Sequence, residues 1–442
     1  MKTNALSARR RREILDALRR GTVPQDGLDV LAVGLDRFED AVDQEIAKIS
    51  EGGSGFKAVR GEYGCGKTFF SRWLQERARS RKLATTEVQI SETETPLHRL
   101  ETVYRRMTER LATASNRSGA FRGVIDSWFY ALEEDVLSGG TVDPNDAQAL
   151  LKATNELMER RLDAISRQAP SFSAALRGYR EALAAGDTAI AEGLVAWLSG
   201  QPNVAAGVKK AANIKGTVDH GVALSFLQGL LVVLKDSGHP GMVLVLDEVE
   251  TLQRVRADAR EKALNALRQL IDELDSGRFP GLLLVITGTP SFFDGPQGMR
   301  KLPPLAQRLH TDFETDIQFD NPRAPQIRLR SFDFDMLMDV GRKVRDIFAD
   351  GSSARERLLR IADDSLIESL AKGVTGTLGG KTGIAPRIFL KKLVADILDR
   401  IDLHETFDPR KDYRLTIRQD ELSTEERNAM PASSVEDIRL ET

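Results

Sequence analysis

The chain has a single cysteine, Cys65, in 442 residues. An internal disulfide is therefore excluded, which fits a reducing cytoplasm. Nothing approaches the ~20 consecutive apolar residues of a membrane-spanning helix. The longest such run, residues 242–246, is strand-sized. The basic N-terminus is followed by no apolar segment, so no secretory signal is expected. Charge of either sign is nearly balanced: 63 Lys and Arg against 66 Asp and Glu leave a net −3. No global field then draws the chain to nucleic acid or anionic lipid, and any DNA contact has to come from a local patch. Internal repeats and low-complexity tracts are also missing. What remains is an ordinary soluble composition, 41% hydrophobic and 29% charged, long enough for two or three structural units.

Residues 7–20 carry Ile14, Leu15 and Leu18 at helical spacing among Arg9, Arg10, Arg11, Arg12, Arg19 and Arg20. Two readings stand, a solvated helix face or a basic flank beside a phosphate or a partner. Asp36 is placed as the N-cap of a helix through Phe38, Val42, Ile46 and Ile49, which Gly52-Gly53-Ser54-Gly55 ends. Residues 56–59 form a short apolar strand, and a helix follows through Phe69, Phe70, Trp73 and Leu74. Residues 85–90 alternate and read as a second strand. Pro96 is expected to open a helix with Leu97, Leu100, Tyr104, Met107 and Leu111 on one face. Residues 116–215 are helical in pattern without a strand-like run. Buried strands at 243–246 and 282–286 flank a helix around 263–274, and 327–329 is a candidate last strand. Residues 334–348, 356–370 and 386–401 read as a helical C-terminal unit, and 402–442 as a polar tail. Strands alternating with helices predict an α/β fold with a mostly parallel sheet covered on both faces.

Between the first strand and its helix stands Gly61-Glu62-Tyr63-Gly64-Cys65-Gly66-Lys67-Thr68, a full match to the phosphate-binding P-loop, or Walker A, pattern. Glycines let successive backbone N–H groups curl around a β-phosphate. Lys67 supplies a point charge to the β- and γ-phosphates, and the Thr68 hydroxyl ligates Mg²⁺. The following helix, beginning toward Phe69, turns its positive dipole end to the same phosphates. Cys65 inside the loop reads as a small residue whose backbone matters, with a redox-sensitive thiol as the alternative. Met242-Val243-Leu244-Val245-Leu246-Asp247-Glu248 is an apolar strand ending in two acids, the Walker B pattern. Asp247 is assigned to Mg²⁺ and Glu248 to the attacking water, so hydrolysis of ATP is implied. Glu250 is left outside the catalytic set. Leu282 to Ile286 ends in hydroxyls, and Thr287 is chosen, with Thr289 as rival, to orient water against the γ-phosphate. Arg308, with Arg300 competing, is the candidate arginine finger, and Arg387 the candidate γ-phosphate sensor on the C-terminal unit.

These motifs in this order resemble AAA+ ATPases of the initiator or clamp-loader type. Within that group the chain resembles the BrxD family, ATP-binding proteins of bacteriophage exclusion (BREX) defence systems. The likeness is carried by Arg11-Arg12-Glu13-Ile14, Ala32-Val33-Gly34-Leu35-Asp36-Arg37-Phe38 and Phe56-Lys57-Ala58-Val59-Arg60 before the P-loop. It continues in Gln89-Ile90-Ser91-Glu92-Thr93-Glu94-Thr95-Pro96-Leu97-His98, in Asp247-Glu248-Val249-Glu250-Thr251-Leu252 and in Thr287-Gly288-Thr289-Pro290. The resemblance implies a P-loop ATPase core (an αβα sandwich) at 31–330, a helical lid at 331–401, and ATP and Mg²⁺ as cofactors. A basic helix at 1–30 precedes these units and a polar tail at 402–442 follows them. It also implies a homo-oligomer acting beside a methyltransferase and a phosphatase-like protein, with double-stranded DNA as a candidate partner and no membrane. The chain departs from a plain module in that Lys67 and Asp247 lie 180 positions apart (247 − 67). A helical insertion at about 116–215 accounts for the gap. The residues after Ile401 are too few and too polar for a winged helix, which weakens an initiator-like grip on duplex DNA. Three functions compete: an oligomeric, DNA-stimulated switch or motor, a nucleotide-dependent DNA-binding module, and a signalling or scaffold ATPase that recruits partners. A small-molecule kinase is disfavoured by the lid-borne Arg387.

Overall fold

The computed structural model of the chain describes residues 6–379, 383, 385–422 and 426–427. Its centre is one sheet of five strands, β1 (Gly55–Arg60), β2 (Ala84–Gln89), β3 (Met242–Asp247), β4 (Leu282–Gly288) and β5 (Gln326–Arg328). The spatial order is β2-β3-β4-β1-β5, and every neighbouring pair is parallel. β3 and β4 are buried along their whole length, which is why they read as unbroken apolar runs. Side chains alternate between the two faces. Ala58, Leu244, Leu246, Leu284 and Ile286 enter one core, while Val59, Val243, Val245, Leu283 and Val285 enter the other. The register pairs Val59 with Thr287 and Gln89 with Asp247. The C-terminal ends of β1, β2, β3 and β4 therefore deliver their polar residues to the same edge of the sheet.

One face is covered by helices Asp36–Ser50 and Lys67–Ser80, through Phe38, Val42, Ile46, Phe70, Trp73 and Leu74. The other face is covered by Ala257–Asp275 and by the helices that run between β2 and β3, from Leu100–Glu109 to His220–Asp236. Trp128, Trp197 and Phe226 are fully buried among these helices. A third core gathers helices Phe334–Ala349, Arg355–Ile361 and Asp364–Thr377 with the run from Pro386 to Leu403. Ala8–Arg19 belongs to this core through Ile14, Leu15 and Leu18. The stripe is thus buried, and the solvated-face reading does not hold for it. Arg9 stays exposed, whereas Arg10 pairs with Glu76 and Arg19 forks onto Asp399 with two 2.8 Å contacts.

Several boundaries differ from the periodicity reading. Asp36 is the first helical residue, not the cap; Leu35 precedes it and no side chain caps the helix. The acid still favours that end through the helix dipole. Pro96 opens a turn, and the helix begins at Leu100. Leu97 is buried without being helical, so its place in the apolar repeat misled. Residues 356–370 are not one helix. Asp363 interrupts them, its carboxylate accepting the Leu366 N–H at 2.9 Å and capping the second helix. The last helix widens to π-helical pitch over Lys392–Leu398. Part of the tail packs on the third core through Phe407, Tyr413, Leu415 and Leu422, while 423–425 and 428–442 lie outside the described residues. Among the described residues no helix is long and apolar enough to cross a membrane.

Candidate nucleotide-binding site

The loop from Gly61 to Gly66 joins β1 to the helix Lys67–Ser80. Gly66 has φ +91°, a left-handed conformation that L side chains rarely adopt. At Gly61 a Cβ would stand 2.4 Å from the Cys65 sulfur, so the two residues pack only because one is glycine. No side chain caps the helix start, which leaves its first-turn N–H groups for an anion. Lys67 is buried, and its Nζ donates to the carbonyls of Gly61 (2.9 Å) and Glu62 (3.2 Å) beside the Tyr63 ring. Burial pushes the Cys65 thiol up, against the neighbouring Lys67 charge. The thiolate that redox sensing needs is disfavoured, in line with a packing role.

Asp247 ends β3 as the meeting point of three elements. Its Oδ2 accepts the Thr68 hydroxyl at 3.2 Å, and its Oδ1 accepts the Thr287 hydroxyl and the Glu248 N–H. Thr287 also accepts the Glu248 N–H at 3.2 Å. Of the two threonines, only Thr287 touches the acids; Thr289 bonds Ser291 at 2.9 Å. Glu248 sits at φ +60°, a conformation costing a non-glycine residue about 1–2 kcal/mol. Such strain persists only when surroundings over-determine it, and it clusters at functional sites. Gln89 holds the Glu248 carboxylate, Nε2 to Oε2 at 2.9 Å. Sequence reasoning missed Gln89. Its available signal was a polar residue closing a strand, in register with the acid.

These groups open on a cavity of about 330 Å³. One wall is polar, with Lys67, Thr68, Asp247, Glu248 and Glu250. Another part of the lining is apolar, with Leu31, Val33, Leu35 and Met336. The segment after the first helix, Gly21 to Pro24, closes one side, and Pro386, Arg387 and Leu390 close another. A phosphate chain fits the first wall and a flat apolar base the second. Among the described residues no three metal-ligating side chains cluster. Mg²⁺ demands few protein ligands and is held largely by phosphates and water. Thr68 and Asp247, in contact with each other, are the residues that would hold it.

The arginines divide. Arg387 borders the cavity, but its guanidinium is engaged by Glu426 and by the Glu421 carbonyl at 2.5 Å. Arg387→Ala is expected to lower kcat at saturating ATP by about tenfold, or ~1.4 kcal/mol of barrier. Steady-state phosphate release reads this, and an unchanged kcat returns Arg387 to a tether for the chain around Glu426. Arg308 does not line the cavity; it pairs with Asp272 (2.8 Å) and Asp275 (3.2 Å). Arg300 is exposed and makes no ion pair among the described residues.

A five-stranded parallel sheet with this strand–loop–helix element and an acid at the end of the strand two places away is consistent with the class of P-loop nucleotide-binding proteins. Residues 6–417 match the model of the family described as BREX system ATP-binding protein BrxC/D. The chain belongs to that family. No curated protein and no solved structure matches it.

Proposed function

We propose that this protein is a Mg²⁺-dependent AAA+ ATPase of the BrxD kind, working as an oligomeric switch or motor in the cytoplasm. The observation that carries the reading is Asp247, on which hydroxyls from the P-loop helix and from β4 converge. The strand order supports the AAA+ type, because β4 lies between the P-loop strand and the acid strand. In this reading residues 331–401 form the lid and 116–215 an insertion into the core. Lys67 and the loop N–H groups bind the triphosphate, and Thr68 and Asp247 orient the cation. Mg²⁺, when bound, neutralises charge that develops on the transferred phosphoryl group. Glu248 takes the proton of the attacking water, and Thr287 fixes the peptide that aims it. Gln89 holds Glu248 until nucleotide rearranges the edge.

Glu248→Gln is expected to keep ATP affinity within about twofold and to cut turnover by about 10²–10⁴-fold, the usual worth of a general base. Phosphate release and a nucleotide titration on the same preparation check both halves. Wild-type-like release from the variant would remove Glu248 from the chemistry. The wider reading is tested by measuring ATP turnover with and without duplex DNA. Stimulation by DNA supports a motor or switch acting on it. A flat response favours a signalling ATPase that works through the methyltransferase and phosphatase-like components of the defence system.

A further inference from the structure

Glu250 is only 5% exposed, yet neither of its carboxylate oxygens has a hydrogen-bond partner among the described residues. It lies in the single-turn helix Val249–Gln253 and faces the same cavity as Lys67, Thr68 and Asp247. Its neighbours already have their roles. Val249 and Leu252 are buried in the core, and the Thr251 hydroxyl bonds the Glu248 carbonyl at 2.9 Å. A buried carboxylate without a partner carries a large desolvation penalty. Packing alone does not demand an acid here, since glutamine or leucine would fill similar space at lower cost. Mg²⁺ at nucleotide sites keeps several of its waters, and those waters need acceptors.

We propose that Glu250 is a positioning residue for the nucleotide-bound cation, accepting hydrogen bonds from cation-held water behind Thr68 and Asp247. The proposal rests on the ATPase reading above. It makes Asp247 and Glu250, three residues apart on a strand end and the turn that follows, a paired acidic support for one ion.

The test titrates a fluorescent ATP analogue into wild type, Glu250→Gln and Glu250→Asp, over a series of MgCl₂ concentrations and in EDTA. Glu250→Gln should raise the Mg²⁺ concentration for half-maximal binding by about 10–100-fold, as loss of an outer support of a metal does. Affinity in EDTA should not change. Glu250→Asp, which keeps the charge, should fall between the two. Without ligand, Glu250→Gln should melt above wild type because the unpartnered buried carboxyl group is gone, and Mg²⁺ with nucleotide should stabilise it less. An unchanged Mg²⁺ requirement in both variants overturns the proposal, and if turnover is also lost, Glu250 moves to the role of base. Equal loss of binding in EDTA overturns it too, because Glu250 then supports the loop. Wild type that fails to bind the analogue at any Mg²⁺ concentration sinks the ATPase reading itself.

Discussion

Lys67→Ala is expected to weaken ATP binding by about 10²–10⁴-fold and to bring hydrolysis below detection at micromolar nucleotide. The ammonium is the one cation of the loop, and it is held at the cavity by the Gly61 and Glu62 carbonyls rather than by an acid. Exchanging those two neutral acceptors for phosphate oxygens strengthens both bonds. Hydrogen bonds to charged groups contribute about 1.5–3 kcal/mol each, so losing two costs about 3–6 kcal/mol. At ~1.4 kcal/mol per tenfold in Kd, that is two to four decades. The fold should survive, because Glu62, Tyr63 and Gly64 are exposed and water can replace the lost donor to the Glu62 carbonyl. Isothermal titration with ATP, beside a melting curve of the same sample, separates the two effects. An ATP titration indistinguishable from wild type would end the nucleotide-binding reading.

The parts of this site that were legible in the sequence are those whose chemistry is contiguous. Gly61 to Thr68 and Met242 to Glu248 each compress a strand end, a turn and the reacting groups into eight residues or fewer, so spacing alone reports their geometry. Thr287 was reachable for the same reason, as the hydroxyl that closes an apolar run. Partners distant in the chain were not legible. Nothing near Ile14 says that its stripe is covered by helices some 370 residues on, and no motif links Gln89 to Glu248. The interruption at Asp363 was present as a capping residue, but an apolar repeat running across it concealed the break. Arg387 illustrates the limit from the other side. Its place at a helix start was read correctly, yet its ion pair with Glu426 is invisible without coordinates. Asn, Asp and Glu in a tail look alike until one of them is seen against a guanidinium.

The remaining large effect concerns assembly. Arg308→Ala is expected to lower turnover by about 10³–10⁵-fold without weakening ATP binding, and specific activity of the wild type should rise with protein concentration. The γ-phosphoryl transition state spreads negative charge over its equatorial oxygens, and a further arginine is worth about that factor. Among the described residues lining the cavity, Arg387 is not free for it, and Arg330 is the other arginine there. Arg387 is tied to Glu426, and Arg308 lies away from the cavity on the helix Pro303–Arg308. In the proposed reading an arginine so placed acts on a neighbouring copy, and a head-to-tail contact of that kind builds rings or open spirals rather than two-fold dimers. The pairs of Arg308 with Asp272 and Asp275 do not forbid this. Its side chain is 40% exposed, and exposed pairs are worth only ~0–1 kcal/mol, little against a triphosphate. For the same reason Arg308→Ala should barely change the melting temperature, so lost activity would not be lost fold. Arg300, exposed and without an ion pair among the described residues, is the rival, and Arg300→Ala is measured alongside. Mixing decides between subunits and within one: Arg308→Ala and Lys67→Ala proteins, each inactive, should partly restore activity together, since a mixed contact pairs an intact P-loop with an intact arginine. If the mixture stays inactive and wild-type activity per protomer stays flat on dilution, the working species is a monomer and neither Arg308 nor Arg300 acts across a contact.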